Sequence, residues 1–154
     1  MVNRNELQQK AQRLEAMKEQ VETLEGQKQM IEENIKKHDE AKKTMKKYQE
    51  KEKGTEVLVP VGAGAYLHTE VTDNDKVMIG LGNDLSAKRE IEDALEIIES
   101  KKENVKEDKQ EIEDEIENLN ENFEELQEEV QKEYQELQRQ QQQQQQGGGG
   151  QVFQ

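Results

Sequence analysis

A heptad repeat that stops and then starts again constrains this chain more than any other feature. Setting position a at Leu7, Leu14, Val21, Lys28, Ile35 and Lys42 puts position d at Lys10, Met17, Leu24, Ile31, His38 and Met45. Eight of these twelve are apolar, and the residues between them are nearly all charged or Gln. Such alternating three- and four-residue spacing is the seam of a coiled coil. A second pair of rows follows later in the chain. One row is Ile91, Ile98, Val105, Ile112, Leu119, Leu126 and Glu133, and the other is Leu95, Lys102, Lys109, Ile116, Phe123, Val130 and Leu137; eleven of the fourteen are apolar.

The periodicity decides between two readings of the composition. Charged residues make up 38% of the chain and aromatics 3%. Charge alone would suggest disorder, but a sustained seam argues for long helices. So few large apolar side chains exclude a sizeable globular core. The net charge of −14, with lysines scattered among acids, sets the surface against a phosphate backbone and so against nucleic acid. The absence of cysteine excludes disulfides and thiolate metal sites. No stretch reads as a signal peptide or a membrane span, so a soluble, cytoplasmic protein is expected.

The expected organisation has four parts: a first coiled-coil helix over 4–53, a β-hairpin segment over 54–89, a second coiled-coil helix over 90–139, and a disordered Gln/Gly tail over 140–154. Asn3 followed by Glu6 resembles a capping box. Lys51, Lys53 and Gly54 form a cationic, glycine-terminated end, and Glu90, Glu92 and Asp93 suit a helix N-terminus. Arms of equal length, about 70 Å each at 1.5 Å per residue, predict a mainly α fold. In it the two helices fold back as a long antiparallel coiled-coil hairpin, with two β-hairpins at the connecting end. The alternative is a rod in which each arm pairs with another chain. Lys28, Lys42, Lys102 and Lys109 fall on seam positions, where they weaken a two-stranded seam and specify its register. Gly26 is a weak spot in the first helix.

The middle segment, "VLVPVGAGAYLHTEVTDNDKVMIGLG", changes period from helix to strand. Val57–Val61, Ala65–Val71 and Lys76–Leu81 read as strands, with turns at Gly62-Ala63-Gly64, Asp73-Asn74-Asp75 and Gly82-Asn83-Asp84. Leu85–Arg89 is either a fourth strand or the start of the second helix, with Ser86 as a possible cap. Two small hairpins do not stand alone in water. Val57, Val59, Leu67, Val71, Val77, Ile79 and Leu81 are therefore expected to be covered by strands of other subunits, closing an intersubunit sheet or β-barrel.

Nothing in the pattern calls for catalysis or a cofactor. Gly62-Ala63-Gly64 lacks the third glycine and the Gly-Lys-Ser/Thr of phosphate loops, so it reads as a turn. Asp73-Asn74-Asp75 lacks the glycine and distal Glu of a calcium loop. His38 in the seam and His68 in a strand have no partner of metal-ligand spacing. An enzyme is the least favoured class.

The arrangement of helix, "LVPVGAGAYL", "KVMIGLG" and helix resembles the prefoldin family, in particular its alpha-class subunits of archaeal type, over about residues 5–138. "NDLSAKREIED" departs from the family in lacking aromatics, which leaves the boundary of the fourth strand open. The resemblance implies an ATP-independent holdase: a hexamer of two alpha and four beta subunits whose hairpins join into β-barrels. Its coiled-coil arms hold unfolded client proteins at their tips and pass them to a group II chaperonin. It implies no cofactor. Under this resemblance Leu7, Leu14, Met17, Leu126, Val130 and Leu137 are the candidate client-binding residues, because seam residues become reachable where the coil frays. The alternative function is a static coiled-coil scaffold or spacer that binds one specific partner.

Overall fold

The computed structural model describes residues 2–148. Element order is α1 (Arg4–Gln49), β1 (Glu56–Gly62), β2 (Ala65–Glu70), β3 (Lys76–Gly82), β4 (Leu85–Glu90) and α2 (Ile91–Gly147). The chain divides into two units, Met1–Gln29 with Gln110–Gln154, and Met30–Lys109.

α1 starts where its cap is. The Asn3 side chain accepts from the Asn5 amide at 3.0 Å, and the Asn3 carbonyl accepts the first helical bond, from Leu7 at 3.0 Å. This satisfies one of the amides that a helix start leaves without an internal partner. The helix ends at Gln49, short of the expected Lys53, and the chain turns through Gly54 at φ +85°.

In each unit the helices run antiparallel, as cross-helix ion pairs show. In the first, Lys28 meets Glu113 and Lys10 meets Glu129 and Glu133. In the second, Lys109 meets Glu32 and Lys102 meets Asp39, so seven residues up one helix are seven down the other. Intrachain pairing replaces the rod alternative. Every one of the predicted seam positions on both helices is buried or half-buried, and most residues between them are exposed. Leu24 and Ile116 are the buried residues of the first unit's seam.

The β segment forms two separate two-stranded antiparallel sheets, β1–β2 and β3–β4. The second repeats the first twenty residues on: Glu56 faces Glu70 as Lys76 faces Glu90, and Gly62 faces Ala65 as Gly82 faces Leu85. Each first strand carries a register shift just before its turn, between Pro60 and Gly62 or between Gly80 and Gly82. Both loops place two residues at positive φ, Ala63 (51°) with Gly64 (73°) and Asn83 (50°) with Asp84 (58°). That is the backbone a two-residue type I′ hairpin loop requires. The open question at Leu85–Arg89 is thus settled as a strand, because the Gly82-Asn83-Asp84 turn sends the chain back along β3.

Each hairpin is tied to what adjoins it. Gly54 donates to the Val71 carbonyl at 2.7 Å and Val71 donates to the Thr55 carbonyl at 2.9 Å, extending the first hairpin at its base. Lys101 of α2 donates to the Gly80 carbonyl at 2.7 Å. The small core of this unit is Val71, Ile79, Ile91 and Ala94, with Ile91 1% and Ala94 0% exposed.

One expectation is corrected at the C-terminal end. The glutamine run expected to begin a disordered tail at Gln140 continues α2 as far as Gly147. Glutamine is a good helix former, and extending a helix already nucleated costs far less than starting one. The rest of the expected tail, 149–154, lies outside the described residues.

Candidate functional site

Two surfaces carry the functional expectations. The first is the hairpin segment. Of the seven residues expected in a subunit interface, Val71 and Ile79 are buried within the chain and Val57 and Val77 are half-buried. Val59, Leu67 and Leu81 are exposed. Alternation does not explain the split, since Val57 and Val59, Leu67 and Val71, and Val77, Ile79 and Leu81 each share a face of their strand; the covered residues lie toward the bases of the hairpins and the exposed ones toward their turns. On β3, Ile79 turns inward while Met78 is 68% exposed. Sequence reasoning missed Leu58, Val61, Tyr66, Met78 and Leu85, all large, apolar and exposed. The signal was present, because β1 is apolar on both faces and only one face can be covered by the chain itself. All of β2 is exposed. A concentration of exposed apolar side chains on short strands marks an interaction surface rather than ordinary scatter.

The second surface is the seam of the first unit. Leu7, Leu14, Met17, Leu126, Val130 and Leu137 all lie on it and all are half-buried. Met17 and Leu126 line one shallow groove with Arg13, Asn122, Glu125 and Glu129. The closed seam therefore shows a ligand only the edges of these side chains. Tyr134, off the predicted rows, is 52% exposed. Its signal was an aromatic residue outside the seam.

The lysines on seam positions are each met by an acid of the opposite helix. Lys10 donates to Glu133 at 2.5 Å, Lys102 pairs with Asp39 at 2.6 Å, Lys109 with Glu32 at 3.4 Å, Lys28 with Glu113 at 3.8 Å, and Lys42 with Glu99. Four of the acids, Glu32, Asp39, Glu99 and Glu113, directly follow a seam residue in sequence. The lysine stem lies along the seam and its head reaches the flank. The hydrogen bond with Lys102 holds the Asp39 carboxyl below the usual carboxylate range, and the bond with Lys42 does the same for Glu99. The bonds with Glu133 and Asp39 raise Lys10 and Lys102 above the usual lysine value. Each pair joins a lysine to an acid at one height on the opposite helix, so together the pairs favour this register.

The histidines are occupied locally. His38 Nδ1 lies 2.8 Å from the Asn34 carbonyl one helical turn back, and so acts as the donor. His68 Nδ1 lies 3.2 Å from Glu56 across the first hairpin. Gly62-Ala63-Gly64 is wholly accounted for by its turn. No helix is long and apolar enough to cross a membrane among the described residues.

Comparison with known proteins agrees with this geometry. A family model described as "Prefoldin subunit" matches residues 17–136. Curated relatives named prefoldin subunit alpha include one from Halorubrum lacusprofundi, 38% identical over 52 residues, which are 34% of either chain. Another, from Methanopyrus kandleri, is 39% identical over 54 residues, 35% of this chain and 34% of that one. The chain thus spans about a third of the length of the curated relatives it matches. Among solved structures, filamentous PFD from Methanocaldococcus jannaschii, determined by cryo-EM, is similar with a TM-score of 0.68 and 30% identity. The match covers 75% of this chain and 95% of that chain.

Proposed function

Since this chain belongs to the prefoldin family, a family of chaperones, we propose that it is an alpha-type subunit of an ATP-independent holdase. Its hairpins join those of beta-type subunits, two alpha with four beta. The free ends of its paired arms hold unfolded proteins, which pass to a group II chaperonin. The observation that carries this reading is the pair of hairpins with exposed Leu58, Val59, Tyr66, Leu67 and Met78 on a chain that is otherwise charged. Apolar strands that the chain does not cover itself call for strands of other subunits. The seam residues Leu7, Leu14, Met17, Leu126, Val130 and Leu137 would then reach clients when the arm ends fray.

The test has two readouts on one sample. Native mass is measured with and without a candidate beta subunit, and light scattering is followed as two unrelated denatured proteins are diluted into the complex. Suppression of both at stoichiometric amounts is expected. Polar substitution of Leu7 and Leu137 should leave mass unchanged and weaken suppression. Binding of a single partner with no suppression would instead identify a static scaffold.

A second reading has its own support. The similar archaeal protein forms filaments, and the same exposed strands would join copies of this chain. A mass that grows with concentration in the absence of any beta subunit identifies that case.

A further inference from the structure

We propose that the outer flank of α2 over residues 127–145 is a self-association surface, taken by the same flank of a second copy of this chain running antiparallel. Gln127, Gln131, Tyr134, Gln138, Gln141 and Gln145 recur at spacings of four and three residues and form a second heptad row beside the seam. All six are exposed, Tyr134 by 52%. The row is uncharged, although residues 127–145 include six charged ones, all of them off it. The end of the row also projects past α1. Lys10 pairs with Glu133, and α1 begins six residues before Lys10, which is the level of Arg139. Residues 141–147 of α2 stand beyond that level and are exposed throughout. The surface belongs to the first unit alone and does not depend on the hairpins.

Three observations name the occupant. First, a heptad row on one helix is covered by a heptad row on another, and this row's spacing reads the same in both directions. An antiparallel copy therefore sets Gln127 opposite Gln145, Gln131 opposite Gln141 and Tyr134 opposite Gln138, with no member left over. Second, a glutamine amide carries an acceptor oxygen and two donor hydrogens. A row of amides is thus its own hydrogen-bonding complement, whereas an apolar partner would leave those amides unmatched. Third, Glu124 and Glu128 stand at the N-terminal end of the row, and no acidic residue follows Glu136. Antiparallel pairing sets the acids of each copy against the glutamine end of the other. Parallel pairing in register would set acid against acid, and like charges repel.

Amide pairs are individually weak, so the test traps the contact covalently. The chain has no cysteine, and introduced ones report cleanly. Full-length Gln131→Cys and Gln141→Cys chains are mixed and oxidised, and interchain disulfides are identified by mass spectrometry. The 131–141 disulfide should form at least tenfold faster than the 131–143 disulfide of a Gln131→Cys and Gln143→Cys mixture. Residue 143 is turned about 200° round the helix from residue 141. Adding Tyr134→Glu to both chains should slow the 131–141 disulfide at least threefold, with the helical circular dichroism signal retained. Equal rates at 141 and 143 mean random collision and overturn the proposal. A preference for 131–131 or 141–141 disulfides overturns antiparallel pairing. Trapping that comes with loss of the helical signal marks strand aggregation of the glutamine run and overturns it as well. A second measurement lets other occupants compete: Gln138→Cys carrying benzophenone maleimide is irradiated with a candidate beta subunit and a denatured protein present. Linkage to a second copy of this chain is expected, and linkage only to either of the others overturns the proposal.

Discussion

The side-chain amide of Asn74 donates to the Lys51 carbonyl at 2.7 Å and also reaches the Gln49 carbonyl at 3.2 Å. These are carbonyls that the end of α1 leaves without helical partners. The same turn is braced by Asp73, whose side chain accepts from the Asp75 amide at 3.1 Å. The Asp75 carbonyl in turn accepts from Ile91, the first residue of α2, at 2.8 Å. Three residues between the hairpins thereby hold the end of one helix and the start of the other. Asn74→Ala should cost about 1–2 kcal/mol by removing both bonds. Asn74→Asp should cost more, because it turns an acceptor toward carbonyl oxygens. Thermal denaturation followed by circular dichroism measures both.

The ion pair of Lys102 with Asp39 predicts a charge-swap rescue. Lys102→Glu places two acids together at a half-buried seam position and should lower the melting temperature by about a few degrees. Adding Asp39→Lys restores opposite charges and should recover most of the loss. Absence of recovery would mean that the lysine acts through its stem rather than its head.

Stability should be highest between the ordinary carboxylate and lysine ranges. Asp39 and Glu99 have lowered values in the fold. Their contribution is full above the ordinary carboxylate value of about 4 and is lost as pH falls through the folded value. Lys10 and Lys102 have raised values. Theirs is full below about 10.5 and is lost as pH rises through the folded value. Melting temperatures recorded from pH 3 to 11 should therefore fall at both ends.

Assembly and folding separate by residue choice. Ile79 is buried within the chain at 8% exposure and Leu67 is exposed. Leu67→Asp should reduce native mass while leaving monomer stability near the parent. Ile79→Asp should destabilise the monomer itself, by about 2–4 kcal/mol for a charge placed in a small apolar core. A Leu67→Asp chain that assembles as the parent does would remove β2 from the interface.

Gly26 offers a gain. It lies inside α1, off the seam, and an added Cβ would meet nothing within 4 Å. Gly26→Ala should stabilise the arm by about 1 kcal/mol, read as a higher melting temperature.

The seam was legible in the sequence because burial along a two-helix arm follows the heptad, and the rows from Leu7 to Met45 and from Ile91 to Leu137 needed no other information. The seam lysines were legible as exceptions. Their partners followed once the antiparallel register was known, since most of the acids flank seam residues. Leu85–Arg89 was not legible, because Leu-Ser-Ala-Lys-Arg suits a helix start as well as a strand. Backbone geometry at Asn83 and Asp84, both at positive φ, decided the matter. The burial of Val71 and Ile79, with Leu67 and Leu81 of the same faces left exposed, was hidden for another reason: alternation gives the faces but not how far along a strand the rest of the chain covers them. The glutamine run misled because low complexity was read as disorder, although the residue type favours a helix.

The twenty-residue repeat of one hairpin by the next gives the chain a valency. Its strands lie in two sheets of two rather than one sheet of four, so free edges come in two sets. A chain with a single hairpin offers two free edges, whereas one with two hairpins offers four, in two separate pairs. Where neighbouring chains were to pair on those edges, the rotation from one neighbour to the next would decide the outcome: a closed ring when the rotations return to the start, and a filament when they do not.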